Sequence, residues 1–502
     1  MKKMKLSIIL VVGLFFFALS IAHAQVNCSD LTSLPLPNAT ITSAYIVPSN
    51  GSIPEHCFAS GIIEKEIYFE VKLPTAWNGK FIMFGNGGFA GSIQNDGSMG
   101  LQRDYATAAT DTGHTGGAVD ASWALNNMKR KLNFGFRAVH LTAVRAKLVI
   151  SAFYGEDINY SYFMGCSRGG GQAMIESQQY PNDFDGIIAG APAYNWSGFG
   201  MGFIWNQQLM YPNPSDLVNC TVPTSILPVL DNATLSLCDD IDGLMDGLID
   251  DPRNCPFDPE TDLDICPDNF PNCFTADQIE AIKRVYDGPS NSKGQIFPGF
   301  APGAEGFPGS WDIWITDGFV FPGSDFPNLQ YGFGDGIIRY FVYDDPDYDF
   351  RNFDFETDVH DTAKAAAILN GTQTNLVPFK VHGGKLLIYN GWADQAITPL
   401  GSIKYYEQVL ERMRGREKVE DFFRLFLVPG MLHCGGGPGP NQADWLTALE
   451  LWVENGTPPD RIVASGGAVP GRTRPLCPYP KVARWTGDGS INDEANFVCI
   501  EP

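Results

Sequence analysis

The chain has 502 residues, 57 of them Asp or Glu and 34 Lys or Arg, and its formal charge at pH 7 is −23. So acidic a surface repels phosphate groups, which excludes nucleic acid as the partner. The length allows one large domain with an insertion, or two domains.

Residues 1–24 are typical of a signal peptide. Three lysines precede a nearly continuous apolar run over residues 8–19, and residues 22–24 form an A-x-A cleavage site. The run is short for a membrane anchor, and no later stretch is long and apolar enough to span a bilayer. We therefore expect a secreted or periplasmic protein without a membrane partner.

The eleven cysteines of the chain favour disulfides in an exported protein, because they contain no C-x-x-C pair of the zinc-binding kind. Their odd number leaves at least one cysteine unpaired. Cys220 is the candidate, since the other ten group into plausible local partners. A bridge between Cys477 and Cys499 in the C-terminal tail is one such pair.

Strands and helices alternate along the first part of the chain. Apolar residues at every second position predict a strand over residues 67–73, and helical spacing predicts a helix over residues 141–152. Further buried runs predict strands at 81–84, 160–164 and 184–189, with a helix at 170–178. This alternation predicts a mostly parallel α/β sheet.

The composition changes after residue 196 and stays rich in Asp, Pro, Gly, Phe and Cys to about residue 378. The pattern then resumes with strands predicted at 385–389 and 423–428 and with helices at 403–413 and 446–453. We therefore divide the mature chain into a first core part (25–197), an inserted lid domain (198–379) and a second core part (380–502).

Residues 165–169 read G-C-S-R-G between a predicted strand and a predicted helix. In that context G-x-S-x-G predicts a nucleophile elbow, a tight turn that exposes the hydroxyl of Ser167 at the edge of the sheet. A serine hydroxyl needs a histidine base, and the histidine needs an acid to orient it.

Asp394 and His433 each follow the end of a predicted strand and come in the chain order Ser, Asp, His of α/β-hydrolases. We therefore expect both at the edge of the sheet that presents Ser167. Since Cys166 and Cys434 each adjoin one of these residues, the spacing also favours a disulfide between them over two unrelated thiols.

A glycine-rich segment, residues 85–88, follows the early strand at 81–84. An α/β-hydrolase supplies one oxyanion-hole N–H from such a loop and a second from the residue after the nucleophile. Gly87, Gly88 and Arg168 are the candidate donors. The sequence does not tell which glycine donates, and an ordinary glycine turn is nearly as consistent with this segment.

The insert contains an acidic stretch over residues 238–250, with aspartates at 239, 242 and 246 and glycines between them. Such a loop can wrap oxygens around a hard cation that takes 6–8 oxygen ligands. The spacing does not match an EF-hand, and a solvated acidic loop explains it equally well.

Taken together, these segments resemble the tannase and feruloyl esterase family, which also includes mono(hydroxyethyl) terephthalate hydrolase-like enzymes. The resemblance extends from about Cys57 to Cys499. It rests on GCSRGGGQA (165–173), GWADQAITP (391–399), HCGGGPG (433–439) and ATDTGHT (109–115).

The resemblance implies an α/β-hydrolase fold with a large inserted lid, and a triad of Ser167, Asp394 and His433. It implies a structural calcium in the lid, held by Asp239, Asp242, Asp246 and the carbonyls of Leu244 and Leu248. It also implies the disulfides Cys28–Cys57, Cys166–Cys434, Cys238–Cys255, Cys266–Cys273 and Cys477–Cys499. Cys220 is left over and departs from the family pattern.

The expected function is that of an exported serine esterase acting on small aromatic esters through an acyl-enzyme. Hydroxycinnamate (feruloyl-type) esters come first, with galloyl esters or mono(hydroxyethyl) terephthalate as alternatives. Two other functions remain open: a non-catalytic, calcium-stabilised binding protein on the same fold, and a peptidase.

Overall fold

We analysed a computed structural model of the chain, which describes residues 25–95, 97–266, 273–318 and 326–502. The expected signal peptide therefore lies outside the described residues. The strands are β1 Ala39–Val47, β2 His56–Ile63, β3 Ile67–Pro74, β4 Lys80–Phe84, β5 Ala106–Thr110, β6 Tyr160–Cys166, β7 Gly186–Gly190, β8 Ser290–Asn291, β9 Gly294–Gln295, β10 Lys385–Gly391, β11 Phe423–Val428, β12 Gln442–Ala443, β13 Ile462–Ser465, β14 Thr473–Leu476, β15 Val482–Trp485 and β16 Phe497–Ile500.

The α-helices are α1 Ser98–Leu101, α2 Met128–Leu132, α3 Ala138–Tyr154, α4 Arg168–Gln179, α5 Trp196–Met210, α6 Leu227–Cys238, α7 Pro259–Asp262, α8 Ala276–Asp287, α9 Trp311–Trp314, α10 Leu329–Gly336, α11 Ala363–Leu369, α12 Val377–His382, α13 Pro399–Met413, α14 Arg416–Glu420 and α15 Trp445–Asn455. Two π-helical segments, Asn133–Arg137 and Ile337–Tyr343, continue α2 and α10. Short 3₁₀ helices are Cys28–Ser33, Ser122–Ala124, Thr224–Ile226, Pro252–Asn254, Phe350–Asn352, Val359–Thr362 and Glu494–Asn496.

Within the described ranges, the main sheet has nine strands in the order β1-β2-β3-β5-β4-β6-β7-β10-β11. The pairs along β1-β2-β3-β5 are antiparallel, and every pair from β5 to β11 is parallel. Helices connect the parallel strands, as crossover connections require. This mixed sheet with its helices is the predicted α/β-hydrolase fold.

Helices cover both faces of the parallel part of the sheet, and this burial explains the apolar strands. On one face Ile187 and Ile388 pack in a cluster with residues of α3, α4 and α13. On the other face Ile188 and Leu387 pack against α15. Because side chains alternate across a strand, a strand buried on both faces reads as a continuous apolar run.

Residues between β7 and β10 form a mostly helical insertion. Its first helix is α5 and its last is α12. Its apolar side chains form a cluster rich in aromatic rings, together with core residues of the segments 89–134 and 396–397. The predicted lid boundaries, 198 and 379, fall inside α5 and α12. The chain therefore leaves the sheet before residue 198 and returns to it after residue 379.

The structure contains the five disulfides that the resemblance implies. Among the described cysteines, Cys220 alone is free. It is partly exposed, its Sγ lies 4.0 Å from Met210 Sδ, and burial raises the pKa of its thiol to about 12. A raised pKa disfavours the reactive thiolate at neutral pH.

Candidate active site

Ser167 lies in the turn between β6 and α4, at the carboxyl end of the parallel strands. Its backbone has φ 60° and ψ −122°, a conformation that non-glycine residues rarely adopt. The turn is tight enough that a Cβ on Gly165 would lie 2.6 Å from the carbonyl carbon of Gly169. Glycine at these two positions lets the strand and the helix meet closely, as a nucleophile elbow requires.

Main-chain hydrogen bonds hold the elbow to the neighbouring strand and to the segment after it. The N–H of Ser167 donates to the Gly190 carbonyl at 3.0 Å, and the N–H of Ala193 donates to the Ser167 carbonyl at 2.9 Å. Since Gly190 ends β7, the elbow is fixed to the sheet on the side opposite β4. The strained serine is thus held by the surrounding backbone.

Asp394 and His433 lie together at the same edge of the sheet. His433 Nδ1 is 3.0 Å from Asp394 Oδ2 and 3.1 Å from Oδ1. The Asp394 side chain is 0 % exposed and that of His433 11 %. Such a contact fixes the imidazole in the tautomer with hydrogen on Nδ1, which leaves Nε2 as a base.

Main-chain and side-chain donors orient Asp394 toward the histidine. Its Oδ1 accepts from the N–H groups of Ala396 at 2.9 Å and Ile397 at 2.8 Å, and Asn390 Nδ2 lies 3.2 Å from Oδ2. Asn390 in turn accepts a hydrogen bond from Ser402 Oγ at 2.7 Å. Sequence reasoning missed Asn390, although an amide near the end of an apolar strand was a usable signal.

Ser167 and His433 line one narrow cleft between the sheet edge and the lid. The structure records no direct hydrogen bond between their side chains. Catalytic hydrogen bonds of this kind commonly form only when substrate is bound. The three residues proposed from the sequence are therefore brought together around one cleft.

A disulfide joins the residues beside the serine and the histidine. The Cα atoms of Cys166 and Cys434 are 5.9 Å apart, and the bridge links positions 268 residues apart in the chain. Cys434 has φ 65° and is followed by glycines at 435–437, all with positive φ. Because glycine adds freedom to the chain, the bridge fixes a loop that is otherwise weakly constrained.

Removing that bridge tests its role. For the double variant Cys166→Ala/Cys434→Ala we expect kcat/KM to fall about 10- to 100-fold, since small displacements of catalytic groups cost that much. Its free energy of unfolding should fall by about 2–5 kcal/mol. Steady-state kinetics and urea unfolding measure both effects.

The matched control is Cys477→Ala/Cys499→Ala, which removes a bridge between the end of β14 and β16 that does not line the cleft. This control should lose stability while it keeps kcat/KM. Equal activity losses in the two double variants would contradict a positioning role for the Cys166–Cys434 bridge.

The structure separates the candidate oxyanion donors. Gly88 and Arg168 line the cleft with Ser167. The N–H of Gly87 instead donates to Gln94 Oε1 at 2.5 Å. The N–H of Arg168 belongs to the first turn of α4, where backbone donors lack helical partners. The arrangement therefore favours Gly88 over Gly87 as the donor from the loop.

Buried polar side chains hold this glycine loop in place. The N–H of Asn86 donates to Gln172 Oε1 at 3.0 Å, and Asn86 Nδ2 donates to the Thr110 carbonyl at 2.8 Å. His114 Nε2 is 2.9 Å from the Phe89 carbonyl, and burial lowers the pKa of His114 to about 4. His114 is therefore a neutral structural residue here, and it precedes Ser167 in the chain, unlike the histidine of the expected Ser, Asp, His order.

The side chain of Arg168 points away from solvent and into the protein. It is 1 % exposed and donates to the carbonyls of Phe134 and Gly135 in a π-helical segment. Its guanidinium lies over the ring of Phe134, 4.3 Å from the centroid. Carbonyls freed by π-helical geometry thus accept from Nη2, whereas Nε and Nη1 are buried without a hydrogen-bond partner and Arg168 has no carboxylate partner among the described residues.

Aromatic side chains from the insertion form the opposite wall of the cleft. They are contributed by α5, α9 and α10 and comprise Trp196, Phe199, Phe203, Trp314 and Phe333. The Trp314 ring lies edge-on to His433, with centroids 5.1 Å apart, and stacks with Phe333 at 6.0 Å. An apolar, aromatic cleft with a few polar groups is typical of a site for a small aromatic molecule.

The acidic loop of the insertion lies away from the cleft. Three N–H groups, those of Asp246, Gly247 and Leu248, converge on Asp239 Oδ1 at 2.9–3.2 Å. Asp242 Oδ1 accepts from the N–H of Leu244 at 2.9 Å. These bonds fold the loop back on itself and bring its carboxylates together.

The comparisons with known proteins agree on one family. The model of the family described as tannase and feruloyl esterase matches residues 56–500. An uncharacterized esterase of Xanthomonas campestris pv. campestris is 35 % identical, covering 96 % of this chain and 92 % of its own. Mono(2-hydroxyethyl) terephthalate hydrolase of Piscinibacter sakaiensis is also 35 % identical, covering 90 % of this chain and 86 % of its own.

A solved structure shows the same fold. The crystal structure of feruloyl esterase B from Aspergillus oryzae superposes with a TM-score of 0.83 at 26 % identity, over 93 % of this chain and 98 % of that one. In the part of the chain that the structure describes, none of the helices is both long and apolar enough to cross a membrane.

Proposed function

This chain belongs to the tannase and feruloyl esterase family, and from that premise we propose that it hydrolyses esters of aromatic acids through an acyl-enzyme on Ser167. That the chain is a carboxylic ester hydrolase follows from the family. The proposal concerns the residues that carry out the reaction and the acid it accepts. The aromatic wall facing Ser167 is the observation that carries it.

In the proposed reaction, Ser167 Oγ attacks the ester carbonyl while His433 Nε2 takes the hydroxyl proton. Asp394 stabilises the resulting imidazolium through the contact at Nδ1. His433 then returns the proton to the leaving alcohol as the C–O bond breaks, which leaves an acyl-enzyme. Water, deprotonated by the same histidine, releases the acid and restores the serine.

The main-chain N–H groups of Gly88 and Arg168 are the proposed oxyanion donors. Both residues line the cleft with Ser167, whereas the N–H of Gly87 is bound to Gln94. Each such donor typically lowers the barrier by about 3–4 kcal/mol. Because both donors are backbone groups, they cost no reorganisation when charge develops on the carbonyl oxygen.

The aromatic acid is assigned from the lid residues. Trp314 lies against His433 and Phe333 stacks with Trp314, and Phe199 and Phe203 continue the wall on α5. Offset-stacked and edge-on ring contacts add about 0.5–1.5 kcal/mol per pair to simple area burial. The feruloyl esterase B and terephthalate hydrolase that resemble this chain also carry aromatic acids in their names, and hydroxycinnamate esters come first among the candidates.

A substrate panel tests the proposal. We expect kcat/KM for methyl ferulate to exceed that for methyl 3-cyclohexylpropanoate, a saturated ester with the same three-carbon acyl linker, by at least tenfold. Methyl gallate and mono(2-hydroxyethyl) terephthalate rank the alternative aromatic acids. Equal rates on the saturated and the aromatic ester would contradict aromatic specificity, and hydrolysis of the matching anilides would favour the peptidase.

We also propose that the acidic loop of the lid holds a structural calcium ion. Asp246 Oδ1 is buried and has no hydrogen-bond partner, although Asp246 Oδ2 meets Arg474. Burial and the neighbouring carboxylates of Asp242 and Asp246 raise the pKa of Asp250 well above its usual range. An unsatisfied oxygen among crowded carboxylates fits a hard cation that prefers oxygen ligands.

The ligands for that calcium would be Asp239, Asp242 and Asp246, with the carbonyls of Leu244 and Leu248. The same loop contacts the C-terminal tail, since Arg484 donates to the Asp242 carbonyl and Arg472 to the Asp246 carbonyl. A cation there would therefore stabilise the junction of the lid with the C-terminal tail.

Calcium removal should lower the melting temperature without changing the chemistry directly. We expect EDTA to lower Tm by several degrees and excess Ca²⁺ to restore it, because a ligand bound only by the folded state stabilises that state. In the variant Asp242→Asn, EDTA should lower Tm by less than in the wild type. Asp240→Asn alters a neighbouring exposed carboxylate and should show the same loss of Tm as the wild type. An unchanged Tm of the wild type in EDTA, together with no calcium found by elemental analysis, would contradict this proposal.

Export of the mature chain is proposed on two grounds. Residues 1–24 have the composition of a signal peptide, and the structure contains several disulfides, which persist in oxidising compartments. Comparing the mass of the protein from cell extract and from medium or periplasm tests cleavage after residue 24.

A further inference from the structure

A second cluster of ligand-type side chains lies behind the elbow helix, apart from both the cleft and the acidic loop. His140 of α3, Glu176 of α4 and Asp183 of the following loop each offer one ligand atom, and the three atoms lie within 4.8 Å of one another. Ligand atoms around one tetrahedral Zn²⁺ are about 3.4 Å apart, given bond lengths near 2.0–2.1 Å. The cluster thus has the dimensions of a single-ion site.

Glu176 is the residue that demands an explanation. It is 1 % exposed, and neither of its buried carboxylate oxygens accepts a hydrogen bond from a donor among the described residues, the neighbouring Asp183 being a carboxylate itself. Burial and the neighbouring Asp183 carboxylate raise its pKa well above the usual range. An unpaired carboxylate in a protein interior costs several kcal/mol unless it binds a proton, a donor or a cation.

The other two residues are oriented as ligands usually are. His140 Nδ1 lies 2.6 Å from Asp183 Oδ2, and the His140 ring stacks on Tyr180 with centroids 3.9 Å apart and planes 6° apart. The stacked ring has little freedom to turn. An ion between His140 and Asp183 would replace the proton they share. The distance between Nδ1 and Oδ2 would then have to increase by roughly 1 Å or less.

The nearest positive charge leaves this carboxylate unsatisfied. Lys147, on the same helix as His140, donates its ammonium proton to the main-chain carbonyl of Asp183. Among the ion pairs of the described residues, none joins Lys147 to the carboxylates of Glu176 or Asp183.

We propose that His140, Glu176 and Asp183 form a binding site for a divalent transition-metal ion of the zinc class, with water completing its coordination. A neutral imidazole and two carboxylates are ligands that Zn²⁺ accepts, and together they balance its charge. The side chains of His140 and Asp183 are 28 % and 14 % exposed, which provides an entry path.

A metal ion bound here would stabilise the fold and take no part in the reaction, because its ligands lie on the elements that hold the elbow in place. Glu176 is on α4, the helix that begins at Arg168 directly after Ser167. An ion there would fasten α4 to α3 and to the loop before β7. We therefore expect metal binding to raise stability, with little change in kcat.

The test uses the full mature chain, without an affinity tag, stripped by chelator and then saturated with Ca²⁺. After equilibration with Zn²⁺ and gel filtration, we expect one equivalent of bound zinc and a rise of Tm by about 2–5 °C. Co²⁺ substituted for zinc should give the visible absorption of a nitrogen- and oxygen-ligated ion. These readouts are independent of activity and of the substrate class.

The variants Glu176→Gln and His140→Gln should each weaken zinc binding at least tenfold. His360→Gln is the matched control, because His360 lies 3.2 Å from Asp361 in an exposed pair without a third, buried carboxylate. This control should bind zinc as the wild type does. Should Glu176→Gln fail to fold, His140→Gln decides the question, since its side chain is partly exposed.

Absence of bound zinc in the wild type would overturn the proposal and would identify Glu176 as a protonated carboxyl beside Asp183. Zinc binding that survives both Glu176→Gln and His140→Gln would overturn it as well. Loss of esterase activity with zinc binding intact would instead concern the proposed function and leave this site standing.

Discussion

Ser167→Ala is expected to lower kcat by roughly 10⁴- to 10⁶-fold while the fold and Tm are retained. Loss of the nucleophile in a serine hydrolase has effects of this size, and the residual rate comes from the oxyanion donors and substrate binding. The elbow geometry does not depend on the hydroxyl, because main-chain bonds to Gly190 and Ala193 hold the turn. Hydrolysis of methyl ferulate and labelling by a fluorophosphonate measure the effect.

The matched control for that variant is Ser177→Ala on α4, the helix that follows Ser167. Ser177 Oγ donates to the Met174 carbonyl and lies outside the cleft, so the variant should keep both activity and labelling. A Ser167→Ala protein that still reacts with fluorophosphonate at the wild-type rate would exclude Ser167 as the nucleophile. A folded wild type that neither labels nor hydrolyses esters would favour the non-catalytic binding protein.

Asp394→Asn is expected to lower kcat by about 10⁴-fold with a small change in KM. In the native structure the buried carboxylate accepts from Ala396, Ile397 and His433 at once. An asparagine must turn its oxygen toward the main-chain donors, which presents its NH₂ group to His433 Nδ1. The imidazole then carries its hydrogen on Nε2 and cannot accept the serine proton.

This loss should occur without unfolding, because the amide keeps the shape of the carboxylate. Melting temperature and kcat measured on the same preparations separate the two effects. Asp287→Asn, which removes an exposed carboxylate paired with Lys283, is the control and should keep wild-type kcat. Activity of Asp394→Asn within tenfold of the wild type would reject Asp394 as the orienting acid.

The strands that carry the candidate site were readable from the sequence because they are buried on both faces. The predictions at 160–164 and 423–428 agree closely with Tyr160–Cys166 and Phe423–Val428. The carboxyl ends of parallel strands share one edge, so Ser167, Asp394 and His433 could be expected to meet there. The sequence did not show that their strands are neighbours in the sheet. The strand order β6-β7-β10-β11 supplies this and brings the three residues together.

Other elements gave weaker signals. Strand Ala106–Thr110 consists only of alanines and threonines. These side chains are small and show no alternation of apolar and polar residues, yet the strand is buried in the sheet. For the insertion the sequence showed only a change of composition and predicted no helices. The structure nevertheless contains the helices Trp196–Met210 and Leu329–Gly336, which pack on each other. Tertiary burial overrides local propensity in such segments, because their apolar residues face partners on every side.

By itself the sequence determined the nucleophile elbow, the order of the proposed triad, the cysteine that remains unpaired and the acidic composition. These features depend on neighbours in the chain or on the sense of parallel strands. Only the tertiary structure decided that Gly87 is bound to Gln94, that Asn390 supports Asp394, and that Trp314 packs between His433 and Phe333. It alone brought His140, Glu176 and Asp183 together. Those contacts join residues on different elements, and their distances are set by side-chain packing that no spacing in the sequence encodes.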